Sequence, residues 1–341
     1  MKLLTLSPNA NPRDPDKSSQ QGWRLFVLLG VVLIIILILS VSLGAVRLDP
    51  GQLWRAFWQY GDPVHQTIVW DLRMPRALLS LLVGAALGMA GALLQGMLGN
   101  GLADPYLLGI SAGAGLAAVG MLTLGAWTGL VPVAAWAGGL FTTLLVYGLA
   151  RSQSGLVVER LILAGVAVSA LFGAMSSTLL LMADDRVQVA LTWLIGSLNG
   201  RGWPEVNRVG FYIAIGLGLG WSQARSLNLL GLGEEMAVSL GIPLVRTRML
   251  IGLIAALLAA AAVSVSGLIG FVGLVVPHIV RQVVGSDHRW LLPLSAMAGG
   301  VLLGSADILA RLGSVELPVG VVTALMGAPF FGWLLYQRGQ P

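Results

Sequence analysis

The chain has 341 residues, of which 56% are hydrophobic and only 10% charged, against roughly a quarter charged in ordinary soluble domains. A water-soluble protein could not enclose that much apolar surface in one core, so the surrounding solvent must be largely lipid. The net charge of +5 does not point to nucleic acid, because the basic residues sit singly between apolar runs, and the absence of cysteine excludes disulfides and thiolate metal sites.

Residues 1–24 are polar and read as a loosely ordered tail. The uncharged run from Leu25 to Val46 is long enough to cross a bilayer and lacks a convincing cleavage site, so it reads as a first span; a signal peptide is the plainer alternative. Charged or turn-rich breaks then set off segments near 75–98, 105–123, 128–150, 160–183, 190–203, 207–224, 246–264, 268–282, 291–311 and 318–337. Segment 190–203 is short and broken by Gly196, Asn199 and Gly200, which makes it a re-entrant half-helix. The fold class is therefore an all-α polytopic membrane protein, with about ten crossings and one short re-entrant helix between residues 25 and 338. An even count places both termini on one side. With that side cytoplasmic, twelve of the twenty Lys and Arg residues lie inside, a weak positive-inside bias that leaves an unexplained excess of arginine outside.

Glycines at small-xxx-small spacing, Gly84/Gly88, Gly216/Gly220 and Gly300/Gly304, predict close helix packing. No inverted repeat relates the two halves, which weighs against many secondary transporters. The only lysines are Lys2 and Lys17, and neither sits in G-x-x-x-x-G-K-[ST]. This polypeptide cannot be a P-loop ATPase, so ATP-driven transport would need a separate motor subunit. His65, His278 and His288 are far apart in sequence, and no metal site in this chain is expected. Pro277-His278 near Arg281 reads as structural rather than as a proton relay. No nucleophile–base pair suggests an enzyme.

The longest polar break, Ser222–Arg248, contains Gly233-Glu234-Glu235-Met236-Ala237-Val238-Ser239-Leu240-Gly241. A short helix from Glu234 to Leu240, stopped by Gly241-Ile242-Pro243, is expected at the cytoplasmic face, within a coupling segment at 226–245. Glu235, Ala237 and Gly241 have the E-x-A-x-x-x-G spacing with which importer permeases dock on their ATPases, small residues allowing close seating and glycine ending the helix. An ordinary interfacial helix would read the same way.

An ordered series of motifs goes further. Arg73-Met74-Pro75-Arg76, Gly91-Ala92-Leu93-Leu94-Gln95, Asn100-Gly101-Leu102-Ala103-Asp104-Pro105 and Leu108-Gly109-Ile110-Ser111-Ala112-Gly113-Ala114 are followed by Leu163-Ala164-Gly165-Val166-Ala167, the run Gly270–Arg281, Ala306-Asp307 and Glu316-Leu317-Pro318-Val319-Gly320. From about Val69 to Leu335 the chain resembles the FecCD family of importer permeases, which handle vitamin B12, siderophores and haem. Gly101 departs from the pattern, since the family usually has proline there, and this loosens the turn entering the third span.

The resemblance implies a homodimer in the bacterial inner membrane with cytoplasmic termini, two cytoplasmic ATPase subunits carrying ATP and Mg, and an extracytoplasmic substrate-binding protein. The pathway would run along the dimer interface, and this chain would bind no cofactor of its own. It further implies that Arg73, Arg76 and Arg311 receive acidic residues of the binding protein. The alternatives are headgroup contact or pairing with Asp71 for the first two, and an i,i+4 pair with Asp307 for Arg311. Reversing Arg73 and Arg76 to glutamate is then expected to weaken association and leave the fold intact. By the same resemblance Gly233, Glu234, Glu235, Ala237, Leu240 and Gly241 couple to the ATPase. Asn100 and Leu102, with Val158 and Glu159, are candidate cytoplasmic gate residues, although Asn100 and Asp104 also suit simple turn chemistry. The rival function is an ion-coupled secondary transporter, for which Asp307 is the one convincing membrane carboxylate. The cargo, a bulky metal chelate, is not specified further by the sequence.

Overall fold

The computed structural model describes residues 15–338 apart from 45, 126–127, 153–154, 157, 184 and 314. Its helices are α1 (Pro15–Ser42), α2 (Pro50–Phe57), α3 (Pro63–Thr67), α4 (Met74–Leu98), α5 (Ile110–Leu124), α6 (Val131–Ala150), α7 (Val158–Leu181), α8 (Val187–Ile195), α9 (Trp203–Ser222), α10 (Ala224–Leu230), α11 (Glu234–Ser239), α12 (Leu244–Ser266), α13 (Val272–Val284), α14 (His288–Ala310) and α15 (Val319–Arg338). Among the described residues six stretches are long and apolar enough to cross a membrane: 20–42, 63–98, 131–150, 158–181, 244–266 and 288–310. Shorter apolar helices at 110–124, 272–284 and 319–332 accompany them. The expected re-entrant element is α8, followed by an irregular return to α9.

Several boundaries differ from expectation, each for a physical reason. The polar tail is shorter than residues 1–24, because α1 begins at Pro15 and carries polar side chains ahead of its apolar run; residues 1–14 lie outside the described residues. The span expected from 105 opens as a 3₁₀ turn, Pro105–Leu108, and the α-helix starts only after Gly109 at φ 73°. Helix α3 runs through a π-helical turn, Ile68–Arg73, directly into α4. A two-residue antiparallel ladder pairs Arg151 with Leu156 and Ser152 with Gly155 in the loop between α6 and α7.

Helices α4, α12 and α14 form the centre, where Leu87, Leu93, Leu94, Leu258, Ala259, Leu291 and Leu303 are buried in one cluster. Lipid offers no hydrophobic drive between helices, so contact distance decides packing. A side chain at Gly84 would collide with Gly299 O, one at Gly88 with Ser295 O, and one at Gly91 with Gly273 O. Backbones therefore touch along α4, as the small-residue spacing predicts. Gly216 and Gly220 likewise admit Leu258 and Met89, and Gly300 and Gly304 admit Leu81 and Ile36.

Prolines inside three helices, Pro277 in α13, Pro293 in α14 and Pro329 in α15, remove N–H donors and strand a carbonyl four residues earlier, and at the first two a side chain answers. In lipid such a carbonyl must find a partner. Pro277 strands Gly273 O, and Gln95 Nε2 donates to it at 3.4 Å while also reaching Leu274 O at 3.1 Å and Ala103 O at 3.3 Å. Pro293 strands Arg289 O, which accepts from Trp221 Nε1 at 3.3 Å. Between α12 and α13 the chain breaks at Gly267–Phe271, where Tyr106 Oη donates to Ile269 O at 2.9 Å and accepts from Ile269 N at 3.2 Å.

Both described termini lie at one end of the bundle, called here the terminal end, and the other end is called distal. Exposed Trp54, Trp58 and Tyr60 sit at the distal end, and exposed Trp23, Trp221 and Tyr336 at the terminal end. Such paired aromatic belts mark the two faces of a bilayer.

Candidate functional site

At the distal end, the ends of α1, α4 and α14 converge on three arginines. The first, Arg73, points inward: its guanidinium donates to Val41 O and Ser42 O, both at 2.9 Å, and to Val46 O. It thus satisfies carbonyls that the C-terminus of α1 leaves open, where positive charge is favoured. Fully buried Asp307 on α14 accepts from Arg76 Nε and Nη2 at 2.9 and 2.8 Å, while Arg76 Nη1 reaches Glu316 Oε1 at 2.5 Å. The i,i+4 pair is also present, with Arg311 Nη2 3.0 Å from Asp307 Oδ2, and the same nitrogen donates to Ser40 Oγ at 2.6 Å.

The sequence motifs thus converge on one ion cluster, in which the i,i+4 pair weighed as the alternative for Arg311 is formed. Arg76 pairs with Asp307 and Glu316 rather than Asp71, and each guanidinium is occupied by the protein's own groups. Reversing Arg73 and Arg76 to glutamate would set a carboxylate against helix carbonyls and another beside Asp307, so such a protein is not expected to keep its fold.

At the terminal end, α10 and α11 form a hairpin leading into α12. Gly233 at φ 99° opens α11, and Gly241 at φ 85° closes it, a backbone region that side chains rarely adopt. Ala237 is fully buried against the hairpin's base, and Ile242 N donates back to Ala237 O at 2.9 Å. Met236, Val238 and Leu240 are left exposed beside Glu235. Glu234 Oε1 accepts from Arg248 Nη2 of α12 at 2.6 Å, which ties the hairpin to a central helix. The short helix lies where the sequence places it, and all six coupling candidates share this hairpin.

The loop after α4 is built from turn chemistry. Asn100 Oδ1 accepts from Leu102 N at 2.9 Å, and Asp104 Oδ1 accepts from Tyr106 N at 2.8 Å. Asn100 and Leu102 are exposed, and Gly101 faces Arg281, whose Nη1 would lie 3.2 Å from a Cβ placed there. Burial pushes the Asp104 carboxyl up from 3.8 to about 6, partly countered by the Tyr106 N–H. Half-buried Val158 and exposed Glu159 begin α7. Among the described residues no hydrogen bond or ion pair joins them to Asn100 or Leu102, so the four gate candidates form two separate groups.

A cavity of about 820 Å³ opens at the distal end between α8, the 196–202 return and the segment 316–318. Its lining includes Thr192, Trp193, Arg201, Glu205, Arg208, Ser266 and Glu316. Sequence reasoning assigned none of these a role; the signal available was the surplus of outside arginines, to which Arg201 and Arg208 belong. Glu205 caps α9, its Oε2 accepting from Gly202 N at 2.9 Å. Among the described residues no three His, Asp or Glu side chains gather in a metal-holding arrangement.

Comparison with known proteins agrees with this architecture. The FecCD transport family matches residues 32–337. A cobalamin import system permease protein of Halobacterium salinarum is 44% identical over 82% of this chain and 76% of its own. A hemin transport system permease protein of Yersinia pestis is 40% identical, covering 92% and 96% of the two chains. A Fe(3+) dicitrate transport system permease protein of Escherichia coli is 41% identical, covering 88% and 94%. A solved inward-facing conformation of a metal-chelate type ABC transporter superposes with a TM-score of 0.84 at 31% identity, over 92% of this chain and 99% of that one.

Proposed function

We propose, from the premise that this chain belongs to the FecCD transport family, that it carries a bulky metal chelate across the bacterial inner membrane into the cytoplasm. Members of this family are translocation subunits, not enzymes, and a separate ATPase hydrolyses ATP. The terminal end is then cytoplasmic and the distal end faces outward.

The observation that carries the reading is the α11 hairpin. Its exposed Met236, Val238 and Leu240 flank Glu235 on an element whose base is locked by Ala237 and by the Glu234–Arg248 pair. An exposed apolar patch on a short, rigidly held helix suits a cleft in a partner protein. ATP and Mg belong to that partner, and this chain needs no cofactor. A second copy of the chain supplies the other half of the pathway, and helix α7 supports this. It turns the small residues Gly173, Ala174, Ser177 and Thr178 outward, the kind of face that lets helix backbones approach closely.

Docking of a binding protein at the distal end works by exchange in this reading: its carboxylates compete with Glu316, which is partly exposed, for Arg76, while Arg73 and Arg311 act from beneath by fixing the helix ends that present it. Asn100 and Leu102 close the cytoplasmic exit, with Val158 and Glu159 as a second tier. The ion-coupled rival needs a carboxylate free to exchange its ion, whereas Asp307 is held between Arg76 and Arg311.

The test is co-purification with the cognate ATPase. Leu240→Asp should abolish complex formation and leave the permease monodisperse in detergent. Uptake into vesicles driven by an ion gradient without the ATPase would sink the proposal.

A further inference from the structure

The distal cavity is unevenly charged once its internal pairs are counted. Of its carboxylates, Glu316 is taken by Arg76 at 2.5 Å, and Glu205 caps Gly202 N and lies 3.8 Å from Arg208. Arg201 is different. It follows Gly200 in the return from α8, and among the described residues its guanidinium makes no hydrogen bond or ion pair, while its Nε is buried with no partner. A buried donor on a fixed positive charge is costly unless an acceptor arrives. The nearby wall carries Trp193, Pro318 and Ser266, and the carboxylate that acts on Arg201, Glu205, is engaged at Gly202 N and beside Arg208 and makes no direct contact with it.

We infer that this cavity receives the cargo on its way in and selects chelates that carry carboxylate groups, with Arg201 as the anchoring guanidinium. The inference rests on the importer reading and narrows it. A planar guanidinium takes a carboxylate through two parallel N–H···O bonds, a geometry that an amide-fringed, uncharged chelate cannot match. The volume of about 820 Å³ lies within the range of pockets that enclose small ligands, roughly 300–1,000 Å³. Arg208, exposed at the mouth, adds attraction that salt weakens. A carboxylate of the docked binding protein is the competing occupant, so the decisive measurement leaves that protein out.

The experiment uses the full chain in lipid nanodiscs, assembled with its ATPase, and equilibrium dialysis with two probes: iron(III) citrate as the carboxylate chelate and cobalamin as the amide-fringed one. Iron citrate should bind saturably, more weakly as salt rises, and Arg201→Gln should weaken it about tenfold or more, the value of one charge-assisted contact. Arg201→Lys should recover part of the loss, and cobalamin binding should be the same in native and variant protein. Equal iron citrate binding by native and Arg201→Gln chains would overturn the inference, as would no binding at all or a preference for cobalamin. If Arg201→Gln does not fold, salt-independent binding to the native chain is equally fatal. Any of these results with the ATPase complex intact leaves the importer reading standing; loss of that complex in the native protein removes the reading itself.

Discussion

Glu234 and Arg248, fourteen residues apart, meet at 2.6 Å, with the carboxylate side chain 61% exposed and the guanidinium side chain 10% exposed. With the carboxylate this exposed, the pair contributes little to stability, about 0–1 kcal/mol. The pair's value is positional, because it fixes a short helix against the start of α12. Glu234→Gln should therefore change thermal stability by less than about 1 kcal/mol and still lower transport per ATP hydrolysed. A loss of stability as large as the loss of coupling would argue that the contact is merely structural.

Gln95 stands in for the N–H that Pro277 lacks. Replacing it by leucine keeps the bulk but leaves Gly273 O and Leu274 O without that donor inside the membrane. Gln95→Leu should cost on the order of 1–3 kcal/mol, measured as a lower unfolding temperature in detergent. Gln95→Glu, whose carboxylate repels the same carbonyls, should cost more. If leucine were tolerated without loss, the three contacts would carry no weight.

The Asp104 carboxyl titrates near 6 in the folded protein instead of 3.8. A raised carboxyl pKa means that the native state holds the proton more tightly than the unfolded chain. Stability from this group is thus greatest below about 3.8 and falls as pH climbs through about 6. Asp104→Asn keeps an oxygen for Tyr106 N and removes the charge. It should be stabilising by on the order of 2 kcal/mol near pH 8, with the gain disappearing near pH 4. An equal gain at both pH values would refute this account.

Asp307 is the sole carboxylate that touches both Arg76 and Arg311 among the described residues. Asp307→Asn leaves two buried like charges facing each other and should cost about 3–5 kcal/mol, seen as low membrane yield and early unfolding. Glu316→Gln, at the exposed edge, should cost under about 1 kcal/mol. The contrast between the two, read by thermal denaturation, separates the buried ion pair from the exposed one.

Much of the fold was legible because lipid imposes a simple rule: apolar stretches of sufficient length span, and small residues mark contacts. The half-helix at α8 was readable from Gly196, Asn199 and Gly200, which interrupt an otherwise apolar run. What escaped was long-range pairing. Asp307 lies 231 residues from Arg76, and nothing local distinguishes it from the nearer Asp71. Arg201 stood out only as one of the surplus outside arginines, since a lone arginine in a polar return gains specific meaning from the cavity around it. Helix α2 was missed because eight residues with a polar start do not resemble a span.

The stranded carbonyls have a consequence for biogenesis. Gln95 precedes the Gly273 carbonyl it serves, and Trp221 precedes the carbonyl of Arg289. A chain threaded into lipid from its N-terminus therefore already holds each donor when the proline-bearing helix emerges. Vectorial synthesis meets the two backbone debts in the order they arise, whereas a permuted gene delivering α13 ahead of α4 would strand a bare carbonyl in hydrocarbon until its donor was made.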